Sequence, residues 1–330
     1  MGVISTHVYT GKENTQKTDT STNKVVKPNY YDPTSTYINK EALLYQCQHY
    51  FDYSDNTWKT QDITAEDMFK PSPKAQLAAV EEAAKTQALE DFQNTLSSGG
   101  ELKFTYNITN PEVVEINKNT TIDFNGKTLD VAVASSHGDS VQISNATVVM
   151  SNGVVNEAKD LGGKLGANIY VMANANVTLE NMKVIGTYPL WVCDGGSTLT
   201  VKSGTYRATV SQAVYNASPN SKIIIEGGEF YAPDWNGSQY CLNLKDDIIA
   251  EGKKANDYIE VRGGTFINYN PSKSTSENPM VSFVADDCIV GSYKNNGQTV
   301  YIVKEKKSFG ETIPDTTMEN GKLVTWQKED

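Results

Sequence analysis

Histidine, cysteine and positive charge are all scarce in this chain, and each shortage closes off a class of chemistry. Three histidines, His7, His49 and His137, are scattered over 330 residues. No local histidine metal set and no Ser-His-Asp arrangement is readable, although such a triad can assemble from distant segments. Cys47, Cys193, Cys241 and Cys288 lie far apart without a CxxC pair. Neither a zinc site nor a disulfide framework is expected, only reduced thiols packed as small hydrophobes. Lys plus Arg number 29 against 40 Asp plus Glu, for a net charge of −11. Without a basic cluster to neutralise phosphates, nucleic acid is not an expected partner. The excess of acid argues for solubility. No apolar run approaches the roughly 20 residues that span a bilayer, so membrane insertion is not expected. The first residues lack a basic n-region and an apolar h-region, which leads to the expectation of no secretory signal. No dense Asp cluster stands out, and no metal or cofactor is assigned.

What the chain has is a recurring pattern. An apolar-x-apolar pair is followed by two residues, a glycine or its substitute, one residue, and an apolar or aromatic side chain. It reads Val148-x-Met150 with Gly153 and Val155, then Val177-x-Leu179 with Met182 and Val184. It continues as Leu199-x-Val201 with Gly204 and Tyr206, Ile223-x-Ile225 with Gly228 and Phe230, and Ile259-x-Val261 with Gly264 and Phe266. A shortened copy, Ile122-x-Phe124 with Gly126 and Leu129, opens the series. The marker positions 153, 182, 204, 228 and 264 lie 29, 22, 24 and 36 apart. Such periods mark a stacked architecture. Period-two alternation puts Ile223 and Ile225 inside and Ile224 and Glu226 outside. Each unit is strand, turn, strand, so the stack is expected to be a parallel β-helix whose rungs are stable only against neighbours. The 36-residue interval contains a polar stretch, 246–257, read as a loop inserted into one rung. It is either part of a binding face or a tolerated surface excursion.

Four segments follow: 1–63, 64–100, 101–305 and 306–330. Residues 1–60 are polar, with aromatics but no period. They read as an extended anchor that orders on another surface, or as a flexible leader; Tyr9, Tyr30, Tyr31, Pro33 and Tyr37 are its candidate contacts. Thr64-Ala-Glu-Asp67 can cap a short helix. A longer helix is predicted over about 74–96, with the stripe Leu77, Val80, Ala84, Ala88, Phe92 and Leu96. It either packs over the open end of the β-helix or forms a short oligomeric coil. Ser97-Ser-Gly-Gly100 ends it. Beyond Pro271, Val281–Ala285 and Thr299–Val303 are expected as final strands around a turn at Asn295-Asn-Gly297, and the polar tail is expected to be peripheral.

Ser98-Gly-Gly-Glu-Leu-Lys-Phe104, with Val114-Glu-Ile-Asn-Lys-Asn-Thr-Thr-Ile-Asp-Phe-Asn-Gly-Lys-Thr-Leu129, resembles the entry into pectin-lyase-like right-handed β-helices. Val261-Arg-Gly-Gly-Thr-Phe-Ile-Asn-Tyr-Asn-Pro271, Val281-Ser-Phe-Val-Ala-Asp286 and Val300-Tyr-Ile-Val303 are similar to β-helical virion proteins of tailed bacteriophages of gut bacteria. These include head fibres, decoration proteins and tailspikes. The resemblance covers about 98–305. It implies a virion protein at the capsid surface, made in the host cytoplasm. Its N-terminal segment would dock on the major capsid or another virion protein, its β-helix would project, and trimers are common.

For chemistry, paired carboxylates across a groove would be needed for glycoside hydrolysis. Asp194, Glu226, Glu229, Asp234, Asp246 and Asp247 are available, but exposed rungs carry such residues by chance, so no catalytic set is assigned. Tyr188, Trp191, Asp194, Tyr215 and Trp235 would make a sugar-binding surface if they share a flank; the alternative is aromatics stacked inside. His137 and Gly162-Gly-Lys164 read as loop residues, the latter lacking phosphate-loop spacing. The reading is a mainly β protein, a single-stranded right-handed parallel β-helix with an N-terminal capping helix and an extended anchor. Its expected function is that of a homotrimeric head fibre or capsid decoration protein that contacts host-surface glycans. The alternatives are a tailspike depolymerase (a glycoside hydrolase or polysaccharide lyase) and a bacterial surface adhesin.

Overall fold

The computed structural model describes residues 49–52, 55–60, 73–235 and 238–327. The anchor candidates Tyr9, Tyr30, Tyr31, Pro33 and Tyr37, and the short helix expected at Thr64–Asp67, lie outside the described residues. The chain divides into two compact units, Met1–Glu81 and Glu82–Asp330. In the first, His49–Asp52 pairs antiparallel with Thr57–Thr60. Asp55 holds the turn by accepting hydrogen bonds from the Thr57 N–H and Oγ1.

The second unit is a parallel β-solenoid of about five turns. Three faces repeat in chain order. The first face stacks Gly100–Lys103, Thr120–Asp123, the starts of Thr147–Asn156 and Asn176–Gly186, then Thr198–Val201, Lys222–Ile225 and Ile259–Val261. The second face takes up the far halves of the same two long strands, with Gly204–Ala208, Glu229–Tyr231 and Gly264–Ile267 following. The third face is a six-stranded parallel sheet of Val114–Ile116, Val141–Ser144, Ala167–Met172, Tyr188–Val192, Val214–Asn216 and Leu242–Leu244.

The interior is built by register. Ile122, Met150, Leu179, Val201, Ile225 and Val261 are successive partners down the first face, and all are fully buried. Each such side chain contributes about 1.5–3 kcal/mol, an upper bound because the unfolded chain is already partly collapsed. Ile224 stays partly exposed and Glu226 exposed, as the alternation requires. On the second face Tyr206, Phe230 and Phe266 form the inward aromatic stack, with centroids 5.2 and 5.1 Å apart and planes 15° apart. The Tyr206 hydroxyl donates to the Ser203 carbonyl at 3.0 Å.

The corner between these faces has two solutions. Asn152 and Asn181 adopt left-handed φ of 59° and 51°. Their amides form a ladder: Asn181 Nδ2 donates to Asn152 Oδ1 at 3.1 Å, and Asn152 Nδ2 to Asp123 Oδ1 at 3.2 Å. In later rungs glycine takes over. Gly204 has φ +124°, and a Cβ there would sit 2.1 Å from the Met182 carbonyl oxygen. The recurring glycine is therefore required by close approach between rungs as well as by backbone conformation.

Both ends of the stack are closed. The helix Pro73–Ser98 begins at a proline, which suits the first turn. It ends where the Gly99 N–H bonds to Thr95 O at 2.8 Å. Its buried Phe92 packs edge-on against Phe104 at 5.6 Å, and Ala88 is also buried. Leu77 and Val80 are exposed, so only the later part of the predicted stripe is buried. The parallel stack ends at Gly264–Ile267, earlier than the boundary expected near 305. There Gln298–Glu305 adds antiparallel and pairs with Cys288–Asn295 around Asn296-Gly297. Val281–Ala285 forms isolated bridges rather than an extended strand, parallel at Val261–Val284 and antiparallel at Ser274–Val281. It is a strap whose buried Phe283 gives its carbonyl to the Val261 N–H, covering the last first-face strand. The tail is not peripheral. Thr316–Glu319 and Lys322–Trp326 extend this sheet, and buried Val324 and Trp326 pack with Ile289.

Arg262 ties the closing sheet to the last rungs. Its guanidinium contacts Glu260 at 2.8 Å, Asp287 at 2.6 Å and Glu305 at 3.4 Å, and Lys222 also pairs with Glu260. Arg262 holds the Asp287 carboxyl below the usual range. Burial raises Glu260, but Lys222 and Arg262 outweigh it and the net shift is downward.

Phe230→Ala is expected to cost about 3–5 kcal/mol in urea unfolding, while Ile224→Ala costs much less; equal losses would contradict the inward stack. Depressed carboxyls add stability above their unfolded pKa and lose it as pH falls through the folded value. Unfolding free energy should therefore hold from neutrality to about pH 5 and fall through and below the ordinary carboxylate range near 4. Arg262→Met should flatten that fall; an unchanged pH profile would contradict the network.

Candidate functional site

The pleat that sends Leu190, Val192 and Val214 inward turns the residues between them outward on the third face. Backbone register aligns Glu115, Gln142, Tyr170, Trp191, Tyr215 and Asn243 as one outward column. Its centre is aromatic. Trp191 meets Tyr170 at 5.8 Å, Tyr188 at 5.4 Å and Tyr215 at 5.0 Å, at interplanar angles of 68–78°. All four rings are partly exposed. Their planes alternate, so the shelf offers ring faces and ring edges in turn.

Among the sequence-derived candidates, Tyr188, Trp191 and Tyr215 come together here. Asp194 lies just beyond, exposed, with left-handed φ of 47° at the corner leading to the next rung. Trp235 belongs to a separate short hairpin, Asp234–Trp235 with Ser238–Gln239, and its side chain lies outside the described residues.

The shelf is partly desolvated. Burial raises the phenols of Tyr170, Tyr188 and Tyr215, and acidic neighbours add to this at Tyr170 and Tyr215. The rings thus stay uncharged well into alkaline solution. Burial also raises the Cys193 thiol, which lies against Tyr170. Three buried side-chain polar atoms lack a partner among the described residues, and two are near this shelf. They are Trp191 Nε1 and Gln212 Oε1, the latter in the segment leading into Val214–Asn216.

Beyond Asn243 the inserted loop begins. It borders a groove of about 600 Å³ whose lining includes Lys245, Lys253, Lys254, Asn256, Glu277 and Asp286. Lys254 is paired with Asp286 at 2.8 Å. Glu277 accepts the Leu244 N–H at 2.9 Å, at the open edge of the third face. Burial, with Asp246 adding to it, raises its carboxyl. The other carboxylates singled out from sequence do not gather: Glu226 is exposed at a first-face corner, and Glu229 sits on the second face opposite Thr205 and Thr265. His137 is exposed beside Ser136, and Lys164 Nζ bonds the Ser136 carbonyl from a neighbouring loop at 2.9 Å. Among the described residues, no three His, Cys, Asp or Glu side chains form a metal-holding group. No described helix is long and apolar enough to cross a membrane.

Tyr170, Gln142, Asn243 and Glu277 escaped the sequence reading. A signal for Tyr170 was present: Ile169-Tyr-Val171, Leu190-Trp-Val192 and Val214-Tyr-Asn216 each set an aromatic residue after an aliphatic one at aligned positions of successive rungs. Glu277 carried none, because its Ser-Glu-Asn-Pro loop has no period. No known protein family, no curated protein and no solved structure matches this chain.

Cys241 is fully buried and Cys288 is 4% exposed, its thiol pushed up to about 12. In a Cys47→Ser background, Cys193 should therefore be the one native thiol that reacts with an aromatic disulfide reagent, slowly at pH 8 and faster as pH rises. Rapid labelling of Cys241 or Cys288 without denaturant would contradict this packing.

Proposed function

We propose that this chain is a structural virion component, a head fibre or capsid decoration protein of a tailed bacteriophage that turns its solenoid toward host-surface glycans. The observation that carries the glycan-contacting part is the partly exposed aromatic column Tyr170–Trp191–Tyr215 with Tyr188, on a solenoid closed at both ends. Uncharged ring faces with amides at either end are the surface chemistry that suits sugars, whose C–H faces stack and whose hydroxyls need hydrogen-bond partners. The virion assignment rests on the resemblance of residues 98–305 to β-helical virion proteins. In this reading residues 1–63 dock on a capsid or other virion protein and the chains associate as homotrimers.

A second reading, hydrolysis of surface polysaccharide, has one observation in its favour. Glu277 is half-buried with a raised carboxyl near Asp246, the environment of a general acid beside a second carboxylate. Glu277 already clamps the Leu244 N–H, which gives it a structural role.

Cryo-electron microscopy of purified particles should find copies projecting from the capsid with residues 1–60 at their base. Absence from particles would overturn the virion reading. Release of reducing ends from host polysaccharide, abolished in Glu277→Gln, would replace the structural reading with the hydrolase.

A further inference from the structure

We infer that the third face binds a neutral, extended glycan running along the solenoid axis, with successive sugars on Tyr170, Trp191 and Tyr215. This deepens the glycan-contacting reading above and rests on it.

Dimensions favour an axial chain. The three rings occupy consecutive rungs in strict register. Rungs repeat at about 4.8 Å, close to the length of one pyranose along an extended chain. A glycan parallel to the axis therefore meets one ring of the column per sugar, faces and edges in turn, whereas one lying across the face meets a single aromatic rung. Gln142 and Asn243 continue the column beyond the aromatics. The Asn243 amide has no side-chain hydrogen bond among the described residues, and Gln142 Nε2 bonds only Asp139. Each end of the track thus presents donors and acceptors to hydroxyls.

Electrostatics set the ligand class. The carboxylates acting on the shelf are Asp139 and Asp194 at Tyr170, and Asp246 and Glu277 at Tyr215. Asp194 and Asp246 are exposed and lie along one edge of the shelf, each two residues past the register-aligned Val192 and Leu244. A uronate, sulfate or sialate on the shelf beside that edge meets like charge at short range, where screening is incomplete. Like-charge placement is a means of rejecting the wrong ligand rather than of gaining affinity. The lysines of the inserted loop, Lys245, Lys253 and Lys254, line the separate groove together with acids.

The test uses the full chain and two probe series: neutral hexose oligosaccharides of two to six sugars, and uronate-bearing oligosaccharides of the same lengths, titrated by calorimetry at low salt. Neutral chains should bind, with affinity rising to about three or four sugars and then levelling. Acidic chains should bind at least about tenfold more weakly. Trp191→Ala should reduce neutral binding by roughly tenfold or more. If that variant melts early, Asn243→Ala and Gln142→Ala serve instead, with a smaller loss confined to the longer oligosaccharides. Asp194→Asn with Asp246→Asn should narrow the gap between the two series. Equal or tighter binding of acidic chains, or affinity independent of length, would overturn the inference and leave the glycan-contacting reading standing. Binding of neither series would overturn both, while the virion assignment would still be judged by location in particles.

Discussion

Hydrogen bonding from one rung to the next, held in register, is the constraint on which the rest of this structure depends. A rung has little interior of its own. Ile225 is buried because Val201 lies on one side of it and Val261 on the other, and the same holds along every inward column. Register makes identical positions coincide, so one alternating pattern produces both the apolar interior and the outward ladders. The Asn152–Asn181 amide ladder, the Tyr206–Phe230–Phe266 stack and the Tyr170–Trp191–Tyr215 shelf are three consequences of that single alignment.

Open rungs are hazardous, because an unpaired edge invites another strand. This chain closes its two ends differently. A helix lays Phe92 over the first rung, and a strap followed by antiparallel strands covers the last. The change from parallel to antiparallel pairing at Gly264–Ile267 ends the repeat. Arg262 fastens the junction by reaching Glu260 on the last rung and Asp287 and Glu305 on the closing sheet.

Legibility followed periodicity. The first- and second-face strands were readable because apolar pairs and corner glycines recur at similar intervals, and the inside–outside assignment of Ile223, Ile224, Ile225 and Glu226 agrees with the structure. The third face was harder to read: loops at 132–140 and 157–166 separate its early strands from the repeat, so Tyr170 was missed while Trp191 and Tyr215 were noticed. Asn152 and Asn181 do not stand out as corner residues in a repeat marked by glycine, although asparagine also reaches the left-handed region. The closing sheet carries no repeat. Its polar tail reads as solvent-facing until Trp326 and Val324 are seen packed on Ile289. Of the candidate site, residue types were legible but convergence was not, since Trp235 sits on its own hairpin and Glu277 comes from a loop without pattern.

The account places binding on the third face, where register turns a rung-by-rung repeat into a track for a repeating ligand. The groove beside the inserted loop, about 600 Å³ and lined by Lys245, Lys254, Glu277 and Asp286 among others, is the physical alternative. The most direct test is the crystal structure of the chain with a neutral oligosaccharide of four sugars. The account predicts density along the solenoid axis over Tyr170, Trp191 and Tyr215, with hydroxyls reaching Gln142 or Asn243. Density confined to the groove between Lys245 and Asp286 would contradict it.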